Sequence, residues 1–323
     1  MTVTLRGLTK ADIPGWNRLL ADIEEVQQSG EHYNEADLHE EMANPDLTPD
    51  KDMVGAFDDG EMVGYFIVYP RAASAKFHKV ALEGATHPKQ RGRGVGTLLA
   101  TEMVRRAEAV HAERHPDVAA LYTARGLSTN VEQERLLADF GLQPERWTFQ
   151  MRADLADVVA PGELPEGLQL KVYDASMERA LRTAHNAAFL DDHPNFSPWT
   201  ETMWKQWVTE SRSFRPELTF VVLDPELPEQ IAGYVQTAEY DAYYEINGTR
   251  EAYVGKVGTR REYRGRGIAG TLLRHALAAY KEAGYDEASL DVDSENPTGA
   301  LGIYEQVGFV VEKRWTDYAK TGS

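Results

Sequence analysis

The chain of 323 residues is longer than one hydrophobic core usually organises, so two domains of about 150 residues each are expected. Its net charge of −18, from 34 basic and 52 acidic residues, argues against a nucleic-acid-binding protein, because contacts to phosphates require an excess of Lys and Arg. The absence of cysteine excludes a disulfide framework, a thiolate metal site and a cysteinyl acyl-enzyme.

Composition also bounds the compartment and the partners. No run of about 18 apolar residues occurs, so neither a membrane span nor a membrane partner is expected. The N-terminus lacks the basic start and apolar core of a signal peptide, and the cytoplasm is the expected location. The nine His residues show no metal-ligand spacing, so no metal is expected. The acidic charge would attract cationic ligands, although a surface that only maintains solubility explains it more simply.

Hydrophobic periodicity predicts that strands and helices alternate in the first half of the chain. The Asp58-Asp59-Gly60 turn indicates a hairpin. The predicted elements are a strand over 3–8, a helix to about 29, a loop with a short helix over 31–50, strands over 53–56, 62–69 and 79–86, a helix over 97–112, a strand over 119–125, a helix over 131–140 and a strand over 147–152.

A stretch rich in Pro and Gly then separates two similar halves. It predicts an N-terminal domain over 1–157, a linker over 158–167 and a C-terminal domain over 168–323. The second half is predicted to contain a strand over 168–173, helices over 175–188 and 201–211 around a loop over 191–197, strands over 219–223, 231–240 and 251–259, a helix after Gly267, a strand over 288–293, a helix over 298–307 and a strand over 309–314.

Each half contains a glycine-rich turn between a predicted strand and a predicted helix. Such a turn at a helix N-terminus exposes backbone N–H groups to an anion, and its Arg side chains suit phosphate oxygens. The two turns are Arg91-Gly92-Arg93-Gly94-Val95-Gly96 and Arg264-Gly265-Arg266-Gly267-Ile268-Ala269-Gly270. Gly141 and Gly308, which end the following predicted helices, recur at a similar interval. The chain is therefore interpreted as an internal duplication.

These turns resemble the motif Arg/Gln-x-x-Gly-x-Gly/Ala of the GNAT superfamily of N-acetyltransferases. The second copy continues with a strand, Asn296, Tyr304 and the pair Gly308-Phe309, in the order that family shows. The resemblance implies an α/β (α+β) fold of two tandem GNAT-like domains, each a mixed twisted sheet flanked by helices. Residues 186–194 and 199–200 are similar to tandem acetyltransferases of the mycothiol synthase type, a match that carries architecture and not substrate.

The resemblance also implies roles for particular residues. Acetyl-CoA would be the cosubstrate, with its pyrophosphate on a turn and its pantetheine arm along the preceding strand. Tyr304 would give a proton to the departing thiolate, since its ordinary pKa of about 10 keeps it protonated at neutral pH. The implied cofactor contacts are Val257, Gly258, Thr259, Arg264, Gly265, Arg266, Gly267, Ile268, Ala269, Gly270 and Asn296 in the second copy, and Arg91, Gly92, Arg93, Gly94, Val95 and Gly96 in the first.

The general base is left open by the sequence. The family often has a Glu eleven residues before the Arg/Gln of the motif, where this chain has Tyr253. Glu251, on the same strand face, and Glu239, on the preceding strand, are the catalytic candidates, and each could equally be a solvated carboxylate. An amine that deprotonates easily would need only solvent.

The first copy has Leu137 where the second has Tyr304. We therefore expect the N-terminal half to be degenerate and catalytically weak, though able to hold CoA. The predicted function is acetyl transfer from acetyl-CoA to a primary amine of a small molecule, by direct attack in a ternary complex because no Cys can carry the acetyl group. The alternatives are an acceptor amine on a peptide or protein, and a CoA-binding module without turnover. The sequence leaves the oligomeric state open.

Overall fold

The computed structural model describes residues 3–74, 76–158, 160–190, 196–227, 229–295 and 299–322. Strands and helices alternate in both halves, and the predicted α/β fold class is confirmed. The first half contains β1 Thr4–Gly7, α1 Ile13–Gln27, α2 Glu35–Met42, α3 Pro49–Asp52, β2 Met53–Asp58, β3 Glu61–Ala73, β4 Phe77–Thr86, α4 Val95–Arg114, β5 Ala119–Leu127, α5 Val131–Asp139 and β6 Gln143–Asp154. The second half contains β7 Gln169–Val172, α6 Glu178–Leu190, α7 Glu201–Trp204, β8 Phe220–Leu223, β9 Ile231–Ala238, α8 Asp241–Asn247, β10 Glu251–Thr259, α9 Ile268–Glu282, β11 Glu287–Asp293, α10 Ala300–Gln306 and β12 Val310–Gly322.

Three segments differ locally from the predicted elements. The polar segment 31–50 holds two short helices rather than one, because the Asn34 side chain accepts the N–H groups of Ala36 and Asp37 and caps α2. The helix predicted over 201–211 is α7 continued by a π-helical turn over Lys205–Thr209. The segment between the predicted strands 231–240 and 251–259 contains the short helix α8.

The N-terminal unit consists of Met1–Trp147 and Trp315–Ser323. Its strands lie in the order β1-β2-β3-β4-β5-β12, with β4 and β5 parallel and the neighbouring pairs antiparallel. Helix α4 packs on β3 and β4. Its buried residues include Leu99, Met103 and Val110, which recur at helical spacing and belong to the core of this unit.

The C-terminal unit is Thr148–Arg314. Its strands lie in the order β6-β11-β10-β9-β8-β7, with β10 and β11 parallel. Helix α9 packs on β8, β9 and β10. Leu272, Leu273, Ala276 and Tyr280 are fully buried along it, which is the apolar face that periodicity predicts. Of the described helices, none combines the length and apolar character needed to cross a bilayer.

Each compact unit takes its last strand from the other sequence copy. Strand β12 pairs antiparallel with β5 from Trp315 opposite Leu127 to Gly322 opposite Ala120. Strand β6 pairs with β11 from Thr148 opposite Asp293 to Asp154 opposite Glu287. The linker is predicted over 158–167, whereas the compact units divide within β6 and β12. Strand alternation specifies which face is buried but not the partner strand, so this exchange is not readable from sequence.

Candidate active site

The turn between β10 and α9 is shaped for an anion. Gly265 and Gly267 have φ values of +75° and +78°, and a Cβ at either position would meet no atom within 4 Å. Only glycine adopts these angles without strain, and the open space lies in front of the backbone at the N-terminus of α9. Ile268 is 2 % exposed and packs in the core, so it can offer a ligand only its backbone. A phosphate group fits this arrangement.

The two Arg side chains of this turn have different environments. Arg264 donates from Nε to the Thr259 carbonyl at 3.1 Å and from Nη2 to the Ala188 carbonyl at 2.8 Å. These bonds tie the turn to β10 and α6. Arg266 is exposed, and its guanidinium lies 5.9 Å from the centre of the Tyr263 ring. Arg266 is therefore the more available of the two for a phosphate, whereas Arg264 positions the turn.

Strands β10 and β11 part before they reach the turn. Their parallel pairing ends at Tyr253 opposite Ser289, while β10 continues along β9 to Thr259. The pairing with β9 skips a position between Val254 and Lys256, so Gly255 is a β-bulge. Beyond Tyr253, β10 has one backbone edge that β11 does not use, and Val257, Gly258 and Thr259 lie on it. An extended amide-containing ligand could pair with that edge.

Tyr234 of β9 lies directly opposite Gly258 of β10. It is fully buried, and a Cβ on Gly258 would collide with its ring. Its hydroxyl lies 2.7 Å from Nδ1 of His185. Gly258 is therefore needed so that β10 can approach this ring closely. The sequence resemblance had assigned Gly258 only to ligand binding.

Tyr304 lies on α10 with 9 % of its surface exposed. Its ring packs edge-on against Phe309 at a centroid separation of 6.1 Å. Burial raises the pKa of Tyr304 to about 12, so the hydroxyl keeps its proton at neutral pH. Burial, and to a smaller extent the nearby Tyr304, raise the pKa of Tyr234 well above its usual range. The protonated hydroxyl of Tyr304 can act as a proton donor.

The two candidate carboxylates are both held by arginines. Glu239 accepts hydrogen bonds from Arg215 at 2.8 Å, Arg250 at 2.8 Å and Tyr285 at 2.6 Å. Burial alone would raise the pKa of Glu239, but the bonds from Arg250, Tyr285 and Arg215 lower it to about 2. A carboxylate with such a low pKa is a poor proton acceptor at neutral pH, and this geometry disfavours Glu239 as the base.

Glu251 has a different balance. Its carboxylate lies 2.7 Å from Nη1 of Arg152, which also contacts Glu287 and, at 2.9 Å, Glu312. Burial raises the pKa of Glu251, and the charge of Arg152 and a hydrogen bond from Ser289 offset this only in part. Of the two candidates, Glu251 is the better proton acceptor.

The turn of the N-terminal unit repeats the same backbone geometry. Gly92 and Gly94 have φ values of +69° and +86°, and a Cβ there would again meet nothing within 4 Å. Val95 is buried in the core, Arg91 lies 4.0 Å from Glu132, and Arg93 contacts Gln90 at 3.3 Å. Arg91, Gly92, Gly94 and Gly96 line a cavity of about 560 Å³. Leu137, the counterpart of Tyr304, also lines this cavity and is 6 % exposed.

The model of the acetyltransferase (GNAT) family matches residues 16–126 and again residues 179–309. The chain belongs to this family.

Relatives of the GNAT acetyltransferase extend the match over most of the chain. A protein of Thermobispora bispora named mycothiol acetyltransferase is 30% identical over 262 residues, covering 80% of this chain and 79% of that protein. A GCN5-related N-acetyltransferase structure from Sphaerobacter thermophilus is 26% identical, with a TM-score of 0.78, and covers 99% of this chain and 95% of that one. A tandem GNAT protein from the clavulanic acid biosynthesis pathway is 16% identical with a TM-score of 0.72, over 100% of this chain and 99% of its own, and shares the fold.

This GNAT protein is an acetyl-CoA-dependent acetyltransferase. Acetyl-CoA is compatible with both turns, since each presents open backbone at a helix N-terminus and continues from a strand with an unused edge. Asn296, which the resemblance implies as a further contact, lies outside the described residues, as do residues 191–195. No cluster of His, Asp and Glu suited to a metal ion is found among the residues that the structure describes.

One carboxylate near the first glycine turn is not among the predicted site residues. Glu83 lines the cavity of the N-terminal unit, eight positions before Arg91 on β4. The available signal was its place on the predicted strand 79–86, next to the turn.

Proposed function

We propose that this acetyltransferase moves the acetyl group of acetyl-CoA to a primary amine of a small molecule, by direct attack in a ternary complex in the C-terminal unit. One observation carries the proposal: β10 leaves β11 at Tyr253 and leads to the open glycine turn, with Tyr304 buried on the helix that follows β11. A site with an anion cradle, a free strand edge and a proton donor suits thioester aminolysis.

The proposed binding roles follow the environments of the side chains. The backbone from Gly265 to Gly270 and the exposed Arg266 would bind the pyrophosphate, and Arg264 would keep the turn in place through its two carbonyl contacts. The edge at Val257, Gly258 and Thr259 would pair with the pantetheine amides. Asn296 is retained as a proposed contact on the grounds of the family motif alone.

Acetyl-CoA supplies the activated thioester when bound. Tyr304 would hold its proton next to the sulfur and donate it as the thiolate leaves, because its raised pKa keeps the phenol neutral. Glu251, whose pKa is raised by burial, would accept the amine proton through water. Glu239 is a weaker candidate because three donors already hold it as an anion.

The acceptor class rests on the relatives. Proteins that are 30% and 28% identical to this chain are named mycothiol acetyltransferases, which supports a small-molecule acceptor over a protein. Free-thiol release from acetyl-CoA with a panel of primary amines tests the proposal. Release with small amines, and none with lysine-containing peptides, is expected. Calorimetric CoA binding without release for any acceptor would instead indicate a binding module.

A further inference from the structure

The cavity of the N-terminal unit joins the first glycine turn to a carboxylate. Arg91, Gly92 and Gly94 of the turn and Glu83 of β4 all line it. Its volume of about 560 Å³ lies within the range of small-ligand sites. The cavity is therefore large enough for a small molecule in addition to part of a bound cofactor arm.

Glu83 lies where the two parallel strands of this unit separate. The pairing of β4 with β5 ends at Leu82 opposite Ala124, whereas β4 continues along β3 to Thr86. Glu83 is the first residue of β4 past the last pair. It thus stands at the apex of an opening that leads to the glycine turn, the same arrangement as in the C-terminal unit.

The surroundings of Glu83 suit a proton acceptor. Its carboxylate accepts hydrogen bonds from Tyr65 at 3.0 Å and from Tyr69 at 3.5 Å, the second of which is weak. Burial raises its pKa, which those two hydroxyls and the more distant charge of Arg71 offset only in part. Protein surrounds the group, yet its side chain remains accessible from the cavity. Unlike Glu239 and Glu251, it is not hydrogen-bonded to a guanidinium in the described part of the chain.

A second carboxylate adjoins this position. Glu41 of α2 has a buried Oε1 with no hydrogen-bond partner among the described residues. Burial and the nearby charge of Glu83 raise the pKa of Glu41 to about 7. Of the two, Glu83 lines the cavity, where its carboxylate can form a charge-assisted hydrogen bond with a cationic ligand. A protonated amine provides that charge.

We propose that this cavity is a second acetyl-transfer site, in which Glu83 binds a primary ammonium compound and acts as the general base. It goes beyond the function proposed for the C-terminal unit and rests on the acetyl-CoA dependence of the family. The ammonium gives one proton to Glu83 and thence to solvent. The neutral nitrogen then forms the C–N bond to the acetyl carbon as the C–S bond breaks, and the nitrogen's second proton goes to the thiolate.

This assignment revises the expectation that the first copy is catalytically weak. That expectation rested on Leu137, which replaces the proton donor. The N-terminal unit instead has a base without a tyrosine acid, and the C-terminal unit has a tyrosine whose candidate bases are held in ion pairs. The nitrogen's own second proton can protonate the departing thiolate, so a tyrosine acid is dispensable in this cavity.

Amine binding without acetyl-CoA gives the first test. The full-length protein is titrated calorimetrically with 1,4-diaminobutane, tyramine and glucosamine, and with their hydroxyl counterparts 1,4-butanediol, 4-hydroxyphenethyl alcohol and glucose. We expect at least one amine to bind, its hydroxyl counterpart to bind about tenfold or more weakly, and Glu83→Gln to remove that preference. Glu61→Gln, at an exposed position on β3 that does not line the cavity, should leave the affinity unchanged. Equal affinity for amines and alcohols, or an unchanged preference in Glu83→Gln, would overturn the proposal.

Turnover gives the second test. Gly267→Val is used to disable the C-terminal turn, and the thiol release that remains is measured with and without Glu83→Gln. We expect Glu83→Gln to lower the remaining thiol release about 100-fold and to remove the increase of its rate with pH. The ionisable groups that act on Glu83 or on its tyrosine partners are Tyr65, Tyr69, Glu41, Glu31 and Arg71. Glu83→Asp should keep amine binding and lose turnover, which separates positioning from loss of fold. No residual release in Gly267→Val would refute the second site and leave the C-terminal proposal intact. Full release there, with loss in Gly94→Val, would refute only the C-terminal proposal.

Discussion

Arg152 and Glu251 form an ion pair 2.7 Å long that joins β6 to the first residue of β10. The same guanidinium contacts Glu287, the first residue of β11, and β6 is the strand that this unit takes from the first sequence copy. The ion pair therefore stabilises the end of β10 and β11 at which the two strands are hydrogen-bonded to each other. Burial alone would lower the pKa of Arg152, but Glu251, Glu312 and Glu287 together raise it, so the cation persists at any physiological pH.

Arg152→Met should destabilise the C-terminal unit by about 2–4 kcal/mol, because Glu251 and Glu287 would remain partly buried without a counter-charge. Urea unfolding monitored by tryptophan fluorescence measures the change. Glu312→Gln is the control, since the Glu312 side chain is 37% exposed and its pair with Arg152 should contribute less than about 1 kcal/mol. An Arg152→Met variant as stable as the parent would show that the pair has no structural role.

Acid stability should depend on Glu239. Its pKa is lowered to about 2 from an ordinary value of 4.5, so it stabilises the folded state above pH 4.5, and this stabilisation is lost as the pH falls towards 2. The full shift corresponds to about 3 kcal/mol of the free energy of unfolding. Glu239→Gln should flatten the fall in stability across that window, whereas Glu61→Gln, at an exposed position on β3, should not. Parallel pH profiles for all three proteins would contradict this assignment.

The two glycine turns should bind CoA independently. Valine at Gly267 or Gly94 must adopt a positive φ, which costs about 1–2 kcal/mol, and its side chain would fill the open space in front of the helix N-terminus. Calorimetry should find two CoA sites per chain, one of which is lost in each single variant. Gly284→Val is a matched control, because Gly284 has a φ of +80° and open space but lies at the C-terminal end of α9. Loss of both sites in a single variant would argue against independent binding.

Tyr304→Phe should lower turnover about 100-fold in a Gly94→Val background, where only the C-terminal turn remains intact. The affinity for acetyl-CoA should not change, because the substitution removes only a hydroxyl from a ring that stays packed on Phe309. Tyr173→Phe removes a buried hydroxyl in the same unit and should leave turnover within about twofold. If Tyr304→Phe turns over as fast as this control, Tyr304 is not the acid.

Local features of the chain were largely predictable. The apolar spacing of Leu272, Ala276 and Tyr280 specifies the face of α9, and Gly265 and Gly267 mark a turn that needs positive φ. These signals depend on neighbours within a few residues. The family, the α/β fold class and the duplication followed from them, because each copy repeats the same short strand–turn–helix pattern.

Tertiary structure alone decided which strand completes each sheet and which of the carboxylates pair with arginine. Trp315 opposite Leu127 and Thr148 opposite Asp293 are contacts between positions far apart in sequence, and alternation of side chains does not encode them. In the sequence, Glu239, Glu251 and Glu83 are indistinguishable, because each is a glutamate in a predicted strand. Only the distant residues packed around them, arginines at the first two and tyrosines with an open cavity at the third, determine the pKa of each carboxylate and therefore its chemistry.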